Sequence, residues 1–338
     1  MATRIAINGF GRIGSAAFKI ALERPELEVV AINGLGSLEM AARLLQYDSV
    51  YGKYNKEVTW EGEDTLIVDG KKYPRYSEKD PSVLPWGDLD VDVVLECTGV
   101  FRTRELAGKH LTAGAKHVMI SAPAKSDDIG TYVMGVNNEK IGESDMSSNA
   151  SCTTNCIAPV MRVMMAEFGV EKAMMTTIHG YTADQNLVDG THSSDLRRAR
   201  AAAINTIPTS TGAAKAVGKT MPEFEGIFDG FALRVPVPSG SVSDITMLLK
   251  KDTTIEEVNA AITKWSERPE MQGILVASTE PIVSSDVVGR TESSIVDLPL
   301  TLVTGGNLVK VVSWYDNEMG YAHRLVDMAV AAGEKIAK

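Results

Sequence analysis

Cys152 is the residue in this chain best placed for covalent chemistry. It lies in Ser148-Asn149-Ala150-Ser151-Cys152-Thr153-Thr154-Asn155-Cys156, at the expected start of a helix running to Phe168. Free amides and the positive end of a helix lower a thiol pKa, and a nearby imidazole can take the proton, so Cys152 is a candidate nucleophile. Cys156, one turn inward, and Cys97, at an apolar strand end, read as small buried hydrophobes. Three cysteines are too few for a disulfide framework, and the C-x-x-x-C spacing has no second pair to complete a zinc site, so no metal is expected. Of five histidines, His110, His117, His192 and His323 lie in charged or helical surroundings. His179 instead ends the apolar run Ala173 to Ile178 and precedes Gly180-Tyr181-Thr182, where a side chain can leave a sheet for a cleft. From spacing alone it is either the partner of a thiol or a satisfied core histidine.

A second signal is Gly9-Phe10-Gly11-Arg12-Ile13-Gly14, a G-x-G-x-x-G run. It leaves an expected strand, Thr3 to Asn8, and opens an expected helix, Gly11 to Glu23, before a second strand at Leu27 to Asn33. In that βαβ context the glycines allow close backbone approach, and the helix N-terminus suits a pyrophosphate. Dinucleotide folds that use NAD usually end the second strand in an acid that bonds the ribose hydroxyls. Here the position is Gly34, and the next acid, Glu39, falls on the following helix. Arg234 stands in the apolar stretch Phe231 to Pro238, a costly place for a cation without an anionic partner. Thr209-Ser210-Thr211-Gly212 leads into an expected helix, also a geometry receptive to anions. Arg197, Arg198 and Arg200 form a basic run that reads by itself as a solvated face. Asn317, just before the last helix, is either an N-cap or an orienting group for a nicotinamide amide.

These residues need an α/β scaffold to position them. The first half alternates strand and helix as parallel sheets do, with expected strands at Val91 to Leu95, His117 to Ser121 and Thr131 to Gly135 and a helix at Thr103 to Ala113. Short β runs broken by Gly62 and Gly70 fill Val58 to Tyr73. Beyond Asn149, long β-branched runs at Phe231 to Val237, Ser241 to Leu249 and Leu308 to Trp314 predict a large mixed or antiparallel sheet. The expected organisation is an N-terminal Rossmann dinucleotide-binding domain over 1–150, an α+β catalytic domain over 151–316, and a C-terminal helical segment, 317–338. With 34 basic and 44 acidic residues the net charge is −10, so phosphate backbones are poor partners and no nucleic acid is expected. The 44% hydrophobic content suits a globular chain, and no apolar run reaches the roughly 18 residues of a membrane span. Met1 to Asn8 enters a strand with no cleavable apolar segment, predicting a cytoplasmic protein without membrane association.

The motifs together resemble phosphorylating glyceraldehyde-3-phosphate dehydrogenase over essentially the whole chain. Asn8 to Gly14, Ser148 to Cys156, Asp195-Leu-Arg-Arg-Ala-Arg-Ala-Ala-Ala203 and Trp314-Tyr-Asp-Asn-Glu-Met-Gly-Tyr321 match in order. The resemblance implies oxidation and phosphorylation of glyceraldehyde 3-phosphate with NAD or NADP, within glycolysis, by a homotetramer. It implies Cys152 as nucleophile and His179 as its base. Thr182 and Arg234 would hold the substrate phosphate, with Ser151, Thr153, Arg198, Thr211 and Gly212 forming a second anion site for inorganic phosphate. Cofactor contacts would fall at Gly9, Gly11, Arg12, Ile13, Gly14, Gly34, Lys79, Ser121 and Asn317, and the C-terminal helix would pack on the dinucleotide domain. Most members using NAD carry Asn-Asp-Leu where this chain has Asn33-Gly34-Leu35, and Asp-Leu-Pro where it has Asp189-Gly190-Thr191. Members accepting NADP resemble the small and hydroxylated pattern here, which predicts NADP tolerance with Ser37, Lys79 and Thr191 as candidates for the 2′-phosphate. Pro238-Ser-Gly-Ser-Val-Ser243 also departs from the family's usual Pro-Asn-Val-Ser. A dehydrogenase of erythrose 4-phosphate is the alternative, disfavoured by the intact second anion site. A thiol hydrolase needs no dinucleotide loop, and an NADP(H)-sensing scaffold needs no nucleophile.

Overall fold

The computed structural model describes residues 2–336, which fall into two compact units. Unit one runs to Tyr132, takes in Asn138–Ala150 and resumes at Ala322; unit two comprises Val133–Asn137 and Ser151–Tyr321. Ala337 and Lys338, the end of the expected segment 317–338, lie outside the described residues.

Unit one begins with β1 (Thr3–Asn8), α1 (Arg12–Ala21), β2 (Leu27–Asn33) and α2 (Leu38–Gln46). A small hairpin follows, β3 (Tyr47–Asp48) and β4 (Gly52–Lys53), then β5 (Val58–Glu61), β6 (Thr65–Val68) and β7 (Lys71–Tyr76). The unit continues through β8 (Val93–Glu96), α3 (Arg104–Ala107), α4 (Lys109–Thr112), β9 (His117–Ile120), β10 (Gly130–Thr131) and β11 (Met146–Ser148). Nine of these strands form one sheet in the order β10-β11-β9-β8-β1-β2-β7-β6-β5. Pairing is parallel from β10 to β7, and β6 and β5 add an antiparallel edge. Ile5, Ala6, Ile7, Val93, Val94 and Leu95 are wholly buried, as expected of strands covered on both faces. The order reverses on either side of β1, which places a crevice beyond the carboxyl ends of β1, β2 and β8, the usual ligand position in a doubly wound sheet.

Two expected elements differ. The helix expected over Thr103 to Ala113 divides at Gly108, whose backbone (φ −59°, ψ −18°) tightens towards a 3₁₀ turn. The strand expected from Thr131 to Gly135 shrinks to β10, because the Val133 carbonyl accepts from Val136 and Asn137 and closes a turn.

Unit two contains α5 (Cys152–Glu167), β12 (Val170–Gly180), β13 (Ile207–Ser210), α6 (Ala213–Thr220), β14 (Phe228–Val235), β15 (Ser241–Leu249) and α7 (Ile255–Ser266). It ends with β16 (Leu275–Ser278), α8 (Ser284–Val287), β17 (Ser294–Asp297), β18 (Leu302–Thr304), β19 (Leu308–Tyr315) and the start of α9 (Met319–Ile336). Its sheet runs β13-β14-β12-β15-β19-β17-β16, with β18 beside β19. β12 pairs β14 in parallel and β15 antiparallel, so the sheet is mixed. Thr209 and Ser210, expected in a loop, end β13, because they pair with Ala232 and Phe231 of β14. From Ala322 onward α9 belongs with unit one, where it lies so close to β1 that a Cβ on Gly333 would sit 2.0 Å from Thr3 Oγ1. The fold class is α/β: a Rossmann unit and an α+β unit built on a large mixed sheet.

Candidate active site

In unit one, the carboxyl ends of the parallel strands open into a cavity of about 580 Å³ lined by Asn8, Gly9, Gly11, Gly34, Lys79 and Thr98 among others. The glycine loop is shaped by contact distances. Gly9 adopts φ +95°, and a Cβ there would lie 2.7 Å from the Thr98 amide nitrogen. A Cβ on Gly14 would lie 1.9 Å from the Gly9 carbonyl oxygen, so α1 can abut the loop only with glycine at that position. Gly11 has nothing within 4 Å of such a Cβ, which leaves open space beside the loop and the α1 N-terminus. That open cradle at a helix start fits a dinucleotide pyrophosphate.

Among the residues expected to hold a cofactor, Gly9, Gly11, Gly34 and Lys79 line this cavity, whereas Arg12, Ile13, Gly14 and Ser121 do not. Arg12 pairs with Asp48 at 2.5 Å and lies over the Tyr51 ring. The Ser121 amide donates to the Glu96 carbonyl at 3.0 Å. Ser37 caps α2, accepting from the Met40 amide at 3.2 Å, and lines a separate groove with Arg43, Tyr47 and Trp60.

Under the cavity floor lies a polar cluster that sequence reasoning missed. Wholly buried Glu96 accepts from Asn8 Nδ2 and from the Thr98 amide. Trp86 Nε1 donates to His110 Nδ1 at 3.0 Å, which leaves the proton on Nε2 to reach Glu96 Oε2 at 3.0 Å. Asn33 Nδ2 donates to Asn8 Oδ1 at 2.7 Å, and Asn33 Oδ1 accepts from the Glu78 amide. The strand-ending polar residues Asn8, Asn33 and Glu96 thus tie β1, β2 and β8 together below the loop. Their common feature, a polar residue closing an apolar run, was the available signal.

In unit two, Ser151 is the N-cap of α5, its Oγ accepting from the Thr154 amide at 3.1 Å, which leaves Cys152 as the first helical residue. Buried Ala150 precedes it with φ +53°, a left-handed turn that is costly for a residue with a Cβ. Cys152 Sγ lies 3.4 Å from His179 Nε2. His179, the penultimate residue of β12, lies directly opposite Arg234 of β14 in the parallel register, so the sheet itself brings imidazole and guanidinium side by side. Arg234 Nη1 donates to Thr182 Oγ1 at 2.9 Å and to the Gly180 carbonyl at 3.1 Å. The same carbonyl lies 2.7 Å from His179 Nδ1. A carbonyl oxygen serves two donors, so Nδ1 carries the imidazole proton and Nε2 presents its lone pair to the thiol. The 3.0 Å approach of Arg234 Nη1 to Nδ1 is then two donors sharing one acceptor.

Burial dominates the electrostatics. It raises the Cys152 thiol above its ordinary value, opposed by Arg234 and by the Thr153 and Cys152 amides. Burial, reinforced by the Arg234 charge, pulls His179 down to about 3, so the imidazole is neutral. Cys97 and Cys156 are pushed up to about 12 by burial with no cation beside them, and Cys156 Sγ donates to Ser313. Thr153 Oγ1 and Thr177 Oγ1 both meet the buried Tyr315 hydroxyl, at 2.9 and 2.8 Å, which fixes the first turn of α5 to the sheet.

Two of the anion-binding candidates, Thr182 and Arg198, share a carboxylate. Asp184 accepts from Thr182 Oγ1 and pairs with Arg198 Nη1 at 2.5 Å, linking the two expected phosphate sites. Burial works to raise the Asp184 carboxyl, but the Thr182 hydroxyl and the Arg198 and Arg234 cations outweigh it and hold it below its usual range. Arg198 Nε donates to Thr209 Oγ1 at 3.0 Å, and Asp195 accepts amides from Arg197 and Arg198. Thr211 Oγ1 accepts from the Ala213 amide, and Gly212 opens α6. Asp184 and Asp195 were given no role from sequence, whereas Thr209 belonged to the stretch read as receptive to anions. Asn317 is not the cap of α9: Asp316 accepts the Glu318 and Met319 amides, while buried Asn317 Oδ1 accepts from Ser241 at 2.8 Å. Thr191 is exposed in the irregular 181–206 segment, where Asn186 Nδ2 donates to its carbonyl. His192 Nδ1 accepts the Ser194 and Asp195 amides in the same segment.

Two family descriptions match the chain, "Glyceraldehyde 3-phosphate dehydrogenase, NAD binding domain" over residues 3–104 and "Glyceraldehyde 3-phosphate dehydrogenase, C-terminal domain" over 151–317. Glyceraldehyde-3-phosphate dehydrogenase of Geobacillus stearothermophilus is 52% identical over 337 residues, covering 99% of both chains. Glyceraldehyde-3-phosphate dehydrogenase 1 of Bacillus subtilis is 51% identical with the same coverage, and the Streptomyces coelicolor enzyme is 49% identical over 99% of this chain and all of its own. A matched nucleotide-binding region, a matched C-terminal region carrying the Cys152–His179 pair, and about half of all residues shared along the full length place this chain in the glyceraldehyde-3-phosphate dehydrogenase family.

Proposed function

We propose that the chain oxidises and phosphorylates glyceraldehyde 3-phosphate to 1,3-bisphosphoglycerate, reversibly, using a nicotinamide dinucleotide and inorganic phosphate. The observation that carries the reading is the 3.4 Å contact between Cys152 Sγ and the unprotonated Nε2 of His179, with Arg234 alongside. His179 Nε2 takes the thiol proton as Sγ bonds to the aldehyde carbon, then returns it to the new alkoxide oxygen to give a hemithioacetal on Cys152. A bound dinucleotide supplies the acceptor for the hydride that leaves this carbon. His179 takes the hydroxyl proton back as the carbonyl re-forms, leaving a thioester on Sγ. The Cys152 and Thr153 amides at the α5 N-terminus stabilise charge on the sulfur and on the carbonyl oxygen. Attack by phosphate then breaks the C–S bond and releases the acyl phosphate, the phosphate's own proton going to solvent, and the departing sulfur takes the proton back from His179 to restore the thiol.

Two anions must be held, and two basic groups support this. Arg234 with Thr182 would take the substrate phosphate. Arg198, with Ser151, Thr153, Thr211 and Gly212, would take inorganic phosphate, displacing Asp184 from the guanidinium. Gly9, Gly11, Gly34 and Lys79 would hold the dinucleotide in the cavity of unit one; Arg12, Ile13, Gly14, Ser121 and Asn317 are proposed as further cofactor contacts from the family's motif positions. Gly34 supports use of NADP as well as NAD, because no carboxylate stands at that position to repel a 2′-phosphate. Ser37 and Thr191 are proposed as further hydroxyl donors to the 2′-phosphate.

A homotetramer is part of the proposal. Leu187, Val188, Leu196 and Ile204 of the 181–206 segment are 71–92% exposed, the pattern of a surface meant to be covered. A cytoplasmic place in glycolysis goes with this activity; among the described residues no helix is long and apolar enough to cross a membrane. The test is an initial-rate assay with glyceraldehyde 3-phosphate and phosphate, run in parallel with NAD and NADP, together with light scattering to measure the assembly. Phosphate-independent turnover would overturn the phosphorylating reading.

A further inference from the structure

β7 carries an arginine that neither the catalytic cluster nor the glycine loop explains. Arg75 is 8% exposed, yet it lines the cavity of unit one. Its Nη2 donates to both the Gly34 and Gly36 carbonyls, and Nη1 reaches the Glu63 carbonyl at 3.3 Å. All three acceptors are neutral, so they satisfy hydrogen-bond directions without forming an ion pair. Glu63 offsets part of the charge through space, while its carboxylate accepts from the Leu38 amide at 3.4 Å. The turn bridged by the guanidinium follows β2, where a dinucleotide fold presents its adenosine ribose contact.

We propose that Arg75 determines dinucleotide specificity, its buried charge behind the Gly34–Gly36 turn providing the fixed attraction for a 2′-phosphate on the adenosine ribose. The inference rests on the dinucleotide reading of this cavity and deepens it. Absence of an acid at position 34 removes repulsion and by itself gives tolerance. Attraction needs a positive charge that does not relax away. Lys79 is exposed and free to swing into water, whereas Arg75 is held by three carbonyls and cannot. A 2′-phosphate carries roughly −1.5 to −2 charge near neutral pH and would gain from a low-dielectric cation even without direct contact. The same fork shapes the turn, so charge and shape must be separated by experiment.

The probes are 2′,5′-ADP and 5′-AMP, titrated calorimetrically into the full-length protein without substrate. The unmodified protein is expected to bind 2′,5′-ADP about tenfold or more tighter than 5′-AMP, with the ratio falling as salt rises from about 20 mM to about 0.3 M. Arg75→Met is expected to cut that ratio at least about fivefold while 5′-AMP affinity stays within about twofold. Arg75→Lys, which keeps the charge and puts the fold at less risk, is expected to hold the ratio within about threefold. Equal weakening of both ligands in Arg75→Met, or an unchanged ratio, would show that Arg75 only shapes the turn and would overturn the inference while leaving NADP use intact. If Arg75→Met does not fold, collapse of the ratio in Arg75→Lys or a salt-independent ratio in the unmodified protein overturns it instead. Indifference of the unmodified protein to the 2′-phosphate would overturn the NADP reading itself, a result distinct from either.

Discussion

Cys152 and Cys156 sit one helical turn apart, yet only the first has an imidazole at 3.4 Å and a guanidinium acting on it. Cys152→Ser is therefore expected to abolish aldehyde oxidation while leaving dinucleotide affinity unchanged, and Cys156→Ser to retain most of the activity. One equivalent of an alkylating reagent followed by peptide mapping checks the order: Cys152 first, with Cys97 and Cys156, both pushed up to about 12, unmodified. Arg234→Leu should cost about 2–5 kcal/mol in kcat/KM for glyceraldehyde 3-phosphate. A smaller loss should persist with unphosphorylated glyceraldehyde, since Arg234 also shares the Gly180 carbonyl with His179. Equal losses for both substrates would mean that Arg234 only supports the sheet. At Gly34, any Cβ would lie 3.2 Å from Phe10 Cβ, so Gly34→Asp combines a steric push with a charge. Gly34→Ala carries the push alone. The ratio of kcat/KM for NADP over NAD is expected to fall about tenfold or more in Gly34→Asp and to change little in Gly34→Ala.

Among the elements, the turn from β1 into α1 separates folding from binding at two positions. Gly14→Ala drives a methyl to within 1.9 Å of the Gly9 carbonyl, which must move backbone and is expected to cost about 1–3 kcal/mol, read as a lowered melting temperature. Gly11→Ala meets nothing within 4 Å in the protein, so its melting temperature should stay near that of the parent while dinucleotide affinity drops. A Gly11→Ala variant that binds dinucleotide normally would remove the pyrophosphate from this cradle. In unit two, the parallel pairing of β12 with β14 sets His179 against Arg234, and antiparallel β13 sets Thr209 against Ala232. A slip of one residue would turn each side chain to the opposite face of the sheet.

For the molecule as a whole, two buried histidines set the response to acid. Burial pulls His117 down to about 4, opposed by the Ser144 backbone and Asp145, and pulls His179 down to about 3. Unfolded histidine titrates near 6.5, so as the pH falls below that value the unfolded chain takes up protons that the native state refuses. Stability is therefore full above about pH 6.5 and is lost progressively as pH falls towards 4, by at most about 1.4 kcal/mol per pH unit for each histidine. Melting temperatures measured from pH 7 to pH 4 should show this slope, and His117→Gln should flatten it. A profile identical in the variant would assign the acid sensitivity elsewhere. The exposed apolar side chains of the 181–206 segment give the second molecular expectation: charged substitutions at Leu196 or Ile204, 92% and 80% exposed, should shift the assembly towards smaller species by light scattering without unfolding the protein.

Local chemistry and strand periodicity were legible in the sequence by itself. The βαβ start, the glycine run, Cys152 at a helix N-terminus and the strands Leu27–Asn33 and Ser241–Leu249 follow from residue type, spacing and hydrophobic pattern, and the motifs in order named the family. What is set by pairing across long separations was not. The short β10 and β11 draw their strand character from β9 and from each other, and β13 extends over Thr209 because β14 lies beside it. Asp184 between two arginines, Tyr315 against two threonines, Glu96 with His110, and Arg75 under the Gly34–Gly36 turn are likewise joined through space. A side chain's own type states what it can donate or accept, but only the tertiary structure decides which partner completes it once water has been removed.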